Sequence, residues 1–536
     1  MATRTSIGAS ASMETRAPLA VDPRFWSWAL KHGVEPRDCR PDFVGSAREG
    51  WRGVVATAPI AAGATLLRVP TALLMSGRTA AADDVLARAL SEHHERDGEP
   101  PLTPTDRLAV HLLRELSRGA ESFWHLYLRQ LPRSYALTCG WTAAERNALQ
   151  LPHAVDAADR SAAACRDAWA RATPVMEKIG LPATYRSFGA WAWAAATISS
   201  RTVFVPFDAA GALCPVGDLF NYVPPTPPHV PKVVGTPLEG PSDERDDEED
   251  DENDSYFLRR GVGGDGAWHE ASDAWVFVAR RDYRKGEEIS LCYGQHTNLG
   301  LLTHYGFTMS HGENAHDEAP LVVDAKTLDV DFPAAVGDVG SYRNAHEICV
   351  FPRGGVSWST LERLRLAAHA TLVGKPPGKD VRERARRGEA LGAACETLAH
   401  EAVVAAAAAA LTSAPTTAAE DAEIVARMEA EGVELAANVD EPGGVARDGS
   451  LAEWARVKAG EEEEEEEAEG AAAASENMLL AVRWRLSYKR SVQAAYKLAA
   501  ARVAEAARAL EGGGASGAVG LRDLRIARPK TLRGGR

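Results

Sequence analysis

The stretch that decides the fold is residues 286–307, Gly-Glu-Glu-Ile-Ser-Leu-Cys-Tyr-Gly-Gln-His-Thr-Asn-Leu-Gly-Leu-Leu-Thr-His-Tyr-Gly-Phe. Its first half, 288–293, has a strand-like pattern that ends in Tyr293, and its second half predicts a short helix that delivers Tyr305 beside a Gly-Phe pair. Upstream, the motif Val216-Gly217-Asp218-Leu219-Phe220-Asn221-Tyr222 follows an apolar strand pattern. Because these segments are expected to meet in space, their two tyrosines and one asparagine indicate a small polar site and not merely a core.

Length and charge set the broad class of the protein. The chain has 536 residues and a formal net charge of −15, and at roughly 150 residues per domain the length predicts two to four domains. Much of the excess acid lies in two runs, 243–254 and 461–467. We expect these runs to be solvated loops, because like charges repel and cannot be buried; a docking surface for a basic partner is the alternative. No basic footprint for nucleic acid is present, so no nucleic-acid partner is expected.

The cysteines and apolar runs bear on compartment and on metal binding. The seven cysteines are scattered, odd in number and without a Cys-x-x-Cys pair, which favours a reducing compartment and predicts no metal site. The longest apolar run, 402–411, is too short to span a membrane, so no membrane partner is expected. The first 20 residues have only a weak transit-peptide character. We expect an intracellular monomer in the cytoplasm or nucleus, with import into the chloroplast left open.

Hydrophobic periodicity divides the chain into a mixed N-terminal part and a helical C-terminal part, which predicts an α+β protein. Strand patterns occur at 53–60 and 64–70, joined by an Ala-Ala-Gly turn, and at 202–206 and 275–279. Helical patterns lie between them at 106–117, 161–179 and 188–199. From about residue 320 onward, alanine-rich helical patterns dominate, at 358–372, 380–411, 417–432 and 476–510.

Together these motifs resemble the SET-domain methyltransferases, and most closely the branch typified by Rubisco large-subunit lysine methyltransferase. That resemblance implies a SET-domain β-fold split by an inserted helical segment and followed by an all-α substrate-binding domain. The implied boundaries are an N-terminal segment at 1–40, a SET domain at 41–310, a helical domain at 320–510 and a flexible tail at 511–536. Within the SET domain, the helical insertion falls at about 130–200 and a disordered acidic loop at 238–256.

The resemblance also implies a reaction, the transfer of a methyl group from S-adenosyl-L-methionine to the ε-amine of a lysine in a protein substrate. The cofactor supplies the reactive group and the protein supplies alignment. Lysine has an ordinary pKa of about 10.4, so its amine must lose a proton before it attacks, and a narrow, partly dry channel favours that loss.

Two alternatives stay open, namely methylation of another nitrogen such as that of histidine, and a non-catalytic SET-fold interaction module. In the histidine-modifying subgroup an asparagine lies two residues after the arginine that Arg201 matches, and this chain has Val203 at that position. That subgroup also has a smaller residue where this chain has Tyr305. Both differences favour lysine as the target.

The resemblance assigns catalytic positions to Tyr293, at the meeting point of cofactor and target nitrogen, and to Tyr305, which lines the lysine channel. Whether Tyr293 acts as a base or only orients the amine stays open. The implied cofactor site comprises Gly50, Trp51, Arg52, Arg201, Asp218, Asn221, Tyr222 and Phe307. Among these, Arg201 matches an arginine that contacts the cofactor carboxylate, a partner that its planar guanidinium suits.

Several of the implied cofactor residues have alternative interpretations. Arg201 could be a surface arginine, and Asn221 could lie in a turn that binds no ligand. Tyr222 replaces the histidine of the family's Asn-His pair, although that residue contacts the adenine largely through its backbone, which any side chain could supply. Asp218 fits a role in bracing its turn better than direct contact with a ligand. Core packing is the alternative for Phe307.

Overall fold

A computed structural model describes residues 21–44, 51–95, 100–225, 265–324, 347–431 and 475–512. The predicted acidic loop at 238–256, the acidic run at 461–467 and the tail beyond residue 512 lie outside the described residues, as does Gly50. The boundaries assigned to the domains stay predictions.

Helices make up most of the described chain, and many begin at a side-chain cap. Thr103, Ser187, Ser357 and Thr417 each accept a hydrogen bond from a backbone N–H of the first helical turn, which satisfies a donor that has no partner inside the helix. In chain order the helices are α1 (Pro23–Lys31), α2 (Gly77–Ala81), α3 (Asp84–Glu95), α4 (Pro104–Ser117), α5 (His125–Leu128), α6 (Ala143–Asn147), α7 (Pro152–Lys178), α8 (Ala183–Arg186), α9 (Phe188–Arg201), α10 (Asn298–Tyr305), α11 (Trp358–Val373), α12 (Lys379–Arg386), α13 (Ala393–Ser413), α14 (Ala418–Ala430) and α15 (Glu476–Gly512).

The strands are short and form several small sheets. They are β1 (Glu35–Pro36), β2 (Cys39–Val44), β3 (Trp51–Ala56), β4 (Thr65–Pro70), β5 (Thr202–Val205), β6 (Asp208–Leu213), β7 (Asn221–Tyr222), β8 (Gly266–His269), β9 (Ala274–Val278), β10 (Ser290–Leu291), β11 (Ala319–Val322) and β12 (Glu347–Val350). Among the described residues the largest sheet has the order β1-β4-β9-β8, and the other strands pair as β2-β3, β5-β6, β7-β10 and β11-β12. Of these pairings, β7 with β10 is parallel and the others are antiparallel. The predicted α+β class is confirmed.

Two local predictions need correction. The strand patterns at 53–60 and 64–70 do form β3 and β4, but the two strands lie in different sheets, because β3 pairs with β2 and β4 pairs with β1 and β9. The helical pattern at 380–411 is two helices and not one. The chain breaks between them at Gly388 and Gly392, whose φ angles of +78° and +113° fall in the region that favours glycine. A Cβ at Gly388 would also lie 1.8 Å from the Trp358 ring.

Two hydrophobic cores hold these elements together. The first gathers strands of the N-terminal part, among them β3, β4, β6 and β9, with α1, α4 and α9, and its fully buried side chains include Phe25, Leu66 and Trp191. The second gathers β11, β12, α11, α13 and α15, and it also takes in Trp141 from the inserted helical segment and Leu302 from α10. The helix that carries Tyr305 is therefore anchored in the core of the C-terminal helical part.

Helix α13 is long and apolar enough, by length and composition, to cross a membrane. Its buried residues, among them Ala402 and Val403, belong to the second core. Since the core helix of a soluble domain passes the same test, the length and composition of α13 are weak support for a membrane span.

Candidate active site

Two sequence motifs are brought together by the parallel pair of β7 and β10. In this pair Asn221 lies opposite Ser290 and Tyr222 lies opposite Leu291. The Val223 N–H continues the pairing by donating to the Leu291 carbonyl oxygen at 2.9 Å. The expectation that the Asn221 motif and the Tyr293 motif meet in space is therefore met.

Five aromatic side chains converge at the end of this pair and form what we call the aromatic cluster: Tyr222, Tyr293, His296, Tyr305 and Phe307. The Tyr293 ring centroid lies 5.3 Å from that of Tyr222 and 5.5 Å from that of Tyr305. Phe307 lies 5.9 Å from Tyr222 and 6.4 Å from Tyr305. The His296 ring packs on edge against Tyr305 at 5.1 Å. These separations are typical of interacting aromatic pairs, so four predicted site residues share one cluster with a histidine that the sequence analysis did not select.

Glycines at both ends of α10 shape the cluster. Gly294 has a φ of +133°, and a Cβ there would approach His296 Nε2 to 3.2 Å. Helix α10 then begins after Thr297, whose side chain accepts from the Gly300 N–H, and it ends at Gly306 with a φ of +77°. This left-handed residue reverses the chain so that Phe307 returns toward Tyr305.

The three tyrosine hydroxyls of the cluster all have partners within the protein. Tyr293 donates to the Phe220 carbonyl oxygen, and Tyr222 donates to the Gly294 carbonyl oxygen at 3.3 Å. The Tyr305 hydroxyl lies 3.3 Å from His296 Nε2. Burial raises the pKa of each of these phenols above its ordinary value near 10. All three therefore stay protonated at neutral pH and act through hydrogen bonds.

Arg201 and Asp218 form a buried charged network beside the cluster. The Arg201 Nη1 atom lies 3.0 Å from the Asp218 carbonyl oxygen and 3.3 Å from its Oδ2. Two tyrosines complete the network: Arg201 Nε donates to the Tyr135 hydroxyl at 3.1 Å, and the Tyr127 hydroxyl donates to Asp218 Oδ2 at 3.0 Å. Within the described part of the chain, Asp218 Oδ1 is buried and has no hydrogen-bond partner. The network thus holds one acceptor that the protein leaves unused.

Asn221 uses its amide group to join its own strand, β7, to β3 and to the segment just before β10. Its Nδ2 atom donates to the Arg52 carbonyl oxygen at 3.0 Å and to Glu288 Oε1 at 2.7 Å. Gly53 makes this approach possible, because a Cβ there would lie 2.9 Å from the Asn221 amide nitrogen. The Arg52 side chain donates to the Gln130 carbonyl oxygen at 2.9 Å. The structure therefore gives the Asn221 amide a bracing role, and contact of this group with a cofactor stays a prediction.

The remaining predicted cofactor residues are placed only in part. Trp51 starts β3 opposite Val44, and Gly50 precedes the described part of that strand. The sequence analysis missed Tyr135 and His296. His296 could have been found from its position three residues after Tyr293, whereas Tyr135 lies in an irregular segment that gave no signal. Across the residues that the structure describes, no group of three or more metal-ligating side chains is present.

Comparisons with known proteins bear on the fold of the chain. No family model matches the chain. The chain is 37% identical over 311 residues to Protein SET DOMAIN GROUP 40 of Arabidopsis thaliana, a match that covers 58% of this chain and 59% of that protein. It is 24% identical over 317 residues to an actin-histidine N-methyltransferase of Canis lupus familiaris, covering 57% and 46%. The matches thus span less than two thirds of the length of these two relatives.

A solved structure extends the likeness over nearly the whole chain. The SET domain of LSMT, bound to lysine and AdoHcy, matches with a TM-score of 0.54 and 18% identity, covering 90% of this chain and 92% of that one. At this identity the likeness is one of fold. A second structure of the same kind is of Rubisco LSMT. Taken with the similarity to the relative from Arabidopsis thaliana, the shared architecture shows that the chain has the SET-domain fold found in Rubisco LSMT.

Proposed function

We propose that the protein is an S-adenosyl-L-methionine-dependent protein-lysine N-methyltransferase. The observation that carries the proposal is the meeting of Tyr293 and Tyr305, with ring centroids 5.5 Å apart, beside the strand that holds Asn221 and Tyr222. Two segments that are distant in the sequence supply these side chains. A target nitrogen can be aligned with a methyl donor only where positioned polar side chains converge in one enclosed site, as these do.

The charged network beside the cluster fits the amino-acid end of the cofactor. S-adenosyl-L-methionine carries a carboxylate and an ammonium group. The Arg201 guanidinium suits a carboxylate, and the unused Asp218 Oδ1 offers an acceptor for an ammonium. When bound, the cofactor would supply the methyl group on its sulfonium centre. Arg201, Asp218, Phe307 and the backbone at Asn221 and Tyr222 are the groups we expect to hold it.

The tyrosines would act by orienting the target amine. Because their phenols are protonated at neutral pH, neither Tyr293 nor Tyr305 is expected to remove a proton as a phenolate base. The Tyr293 hydroxyl proton already has a partner within the protein, and the Tyr305 hydroxyl lies within hydrogen-bond distance of His296 Nε2, so each phenol oxygen keeps a lone pair for an incoming N–H group. Burial of the cluster also disfavours a charged ammonium, which helps the lysine enter as the neutral amine.

Lysine is favoured over histidine by the shape of the cluster. The Tyr305 ring packs between those of Tyr293, His296 and Phe307. A ring at that position leaves room for the slender lysine side chain better than for an imidazole. Val203, on β5, offers no amide to an imidazole nitrogen. Histidine methylation remains the second candidate, because one relative is named an actin-histidine N-methyltransferase.

Cofactor binding and methyl transfer test the proposal in sequence. Calorimetric titration of the purified protein with S-adenosyl-L-methionine should show saturable binding. Peptide libraries with a fixed central lysine or a fixed central histidine, incubated with tritium-labelled cofactor, should then become labelled only when lysine is present. Amino-acid analysis of the hydrolysed product separates methyllysine from methylhistidine. Tyr293→Phe should bind the cofactor within about threefold of wild type but transfer methyl about 100-fold more slowly, the scale of a misaligned nitrogen.

Tyr283→Phe is the matched control, since Tyr283 is a buried tyrosine outside the cluster whose hydroxyl donates to the Ser290 carbonyl oxygen at 3.2 Å. It should keep full activity. A methylhistidine product would favour the second candidate. A folded protein that binds no cofactor at millimolar concentration would instead support the non-catalytic interaction module.

A further inference from the structure

His296 is the one member of the aromatic cluster that the assignment of catalytic and cofactor residues leaves without a role. It is a buried histidine, 8% exposed, and its Nε2 atom faces the Tyr305 hydroxyl at 3.3 Å. We propose that His296 is a positioning residue: it accepts the hydroxyl proton of Tyr305 and thereby turns the oxygen lone pairs of that tyrosine toward the target amine. The inference rests on the proposed function.

The proposed role requires one tautomer of the ring. A neutral imidazole has one N–H and one acceptor nitrogen. With the proton on Nδ1, Nε2 is the acceptor, and the Tyr305 hydroxyl donates to it across 3.3 Å. Burial lowers the pKa of His296 below its ordinary 6.5, which keeps the ring neutral at physiological pH.

The surroundings of His296 leave its ring one orientation. Its backbone carbonyl accepts from Asn314 Nδ2 at 2.8 Å. Its ring lies on edge against Tyr305, with an angle of 62° between the planes, and 6.3 Å from the Tyr222 ring. At position 294, where φ is +133°, a Cβ would lie 3.2 Å from Nε2, a tight contact on a backbone conformation that favours glycine. A side chain held on all these sides can direct a hydrogen bond reproducibly.

Tyr293 shows the same arrangement with a different acceptor. Its hydroxyl proton goes to the Phe220 carbonyl oxygen. A neutral primary amine has two N–H donors and one lone pair. With both phenol protons committed to the protein, the two oxygens can accept these two N–H groups. The nitrogen lone pair is then left on the remaining side, so the direction of attack depends on where each tyrosine proton points.

A purely structural role for His296 makes a different prediction from a positioning role. If the ring only filled space, phenylalanine would replace it, because that ring is similar in shape and lacks the acceptor. If the acceptor matters, glutamine should serve better, because its Oε1 atom can accept the Tyr305 proton near the position of Nε2. The His296→Phe and His296→Gln variants therefore separate packing from hydrogen bonding.

The experiment measures steady-state methyl transfer and cofactor affinity for wild type, His296→Phe, His296→Gln, Tyr305→Phe and the double variant His296→Phe/Tyr305→Phe. We expect His296→Phe to lower kcat about tenfold, the effect of losing roughly one directed hydrogen bond. Its KM for peptide and its cofactor Kd should stay within about threefold. His296→Gln should recover most of kcat. In the Tyr305→Phe background, His296→Phe should have no further effect, because the bond it disrupts is already gone.

Nitrogen-15 spectra of labelled histidine give a readout that does not depend on turnover. The resonances missing in His296→Gln identify His296, and they should show a neutral ring with an unprotonated Nε2 that shifts in Tyr305→Phe. The positioning role is overturned if Nε2 carries the proton, if His296→Phe is fully active, or if the two substitutions lower kcat independently in an active enzyme. A wild type that binds no cofactor and labels no peptide overturns the proposed function, and this role with it.

Discussion

Replacing Asp421 by asparagine should destabilise the protein strongly, because this buried carboxylate pairs with two buried cations. The side chain is fully buried on α14. Its Oδ2 lies 2.6 Å from Lys489 Nζ, and its Oδ1 lies 2.8 Å from Arg485 Nη2. Thr416 donates a further hydrogen bond to Oδ1 at 2.6 Å. Asparagine keeps the shape of the side chain, so the substitution removes the charge without creating a cavity.

The magnitude follows from what the substitution leaves behind. Each cation lies close enough to the carboxylate for a Coulomb attraction of roughly 6 kcal/mol at an effective dielectric constant of about 20. Desolvation offsets much of this attraction in the intact network. Removal of the anion leaves Lys489 and Arg485 buried without their counter-charge, since their side chains are only 2% and 6% exposed. Loss of one partner of a buried ion pair costs about 3–5 kcal/mol, or roughly 6–20 °C in the unfolding midpoint for a domain of about 200 residues.

The same network joins the helical insertion to the C-terminal helices. Arg485 Nη1 donates to the Ala148 carbonyl oxygen, and Lys489 Nζ donates to Gln150 Oε1 at 3.2 Å. Burial raises the pKa of Asp421, but its hydrogen bonds from Arg485, Lys489 and Thr416 together hold that pKa below the ordinary value. The stabilisation is therefore present above the unfolded pKa near 4 and is lost as the pH falls through the lower folded value. It is fully expressed at pH 7.5.

Urea unfolding at pH 7.5, followed by circular dichroism, measures the change. Glu423→Ala is the matched control, since Glu423 is exposed on the same helix and surface substitutions change stability by about 0.5 kcal/mol or less. If Asp421→Asn costs less than about 1 kcal/mol, water must reach Lys489 and Arg485, and the argument from buried charge is wrong.

Three further predictions concern a buried acid, the aromatic cluster and one glycine. Burial raises the pKa of Asp317 to about 6, above its ordinary 3.8, so its charged form costs roughly 3 kcal/mol at neutral pH. Asp317→Asn should thus raise the thermal midpoint more at pH 7.5 than at pH 4.5, where the folded wild type already holds the proton and only about 1 kcal/mol of the cost is left, from deprotonation of the unfolded chain; equal gains at both pH values would contradict this. Tyr222→Phe should leave the calorimetric Kd for S-adenosyl-L-methionine within about threefold of wild type, because the hydroxyl bonds only to a backbone carbonyl. Tyr222→Ala should raise that Kd at least about tenfold, because it removes the ring that packs in the aromatic cluster. Gly354→Ala should lower the free energy of unfolding in urea by at least about 2 kcal/mol, because its Cβ would lie 2.4 Å from the Ala494 carbonyl oxygen. Gly374→Ala is the control: its φ of +71° is similar but the space around it is open, so it measures the backbone strain alone and should cost less.

Local pattern predicted the elements of the fold well where a segment's own periodicity decides them. The helical patterns at 106–117 and 188–199 became α4 and α9, and the pattern at 476–510 became α15. The local pattern did not predict features of the fold that depend on contacts between residues distant in the sequence. The break at Gly388 depends on the Trp358 ring that occupies the space a side chain would need. The placement of β3 and β4 in different sheets depends on partners far along the chain.

The sequence by itself determined the split SET architecture and the motifs that carry Tyr293, Tyr305, Asn221 and Tyr222, because spacing and residue type within each motif are local properties. The tertiary structure alone decided how those side chains are used. It commits the Asn221 amide to Arg52 and Glu288, and it sets Arg201 against Asp218. It also brings His296 onto the Tyr305 hydroxyl. A hydrogen bond depends on distances and directions set by the packing of separate segments. Sequence spacing does not specify these for Arg201 and Asp218, which lie 17 residues apart, or for Asn221 and its partners at separations of 169 and 67 residues. It does not specify them across the turn between His296 and α10 either.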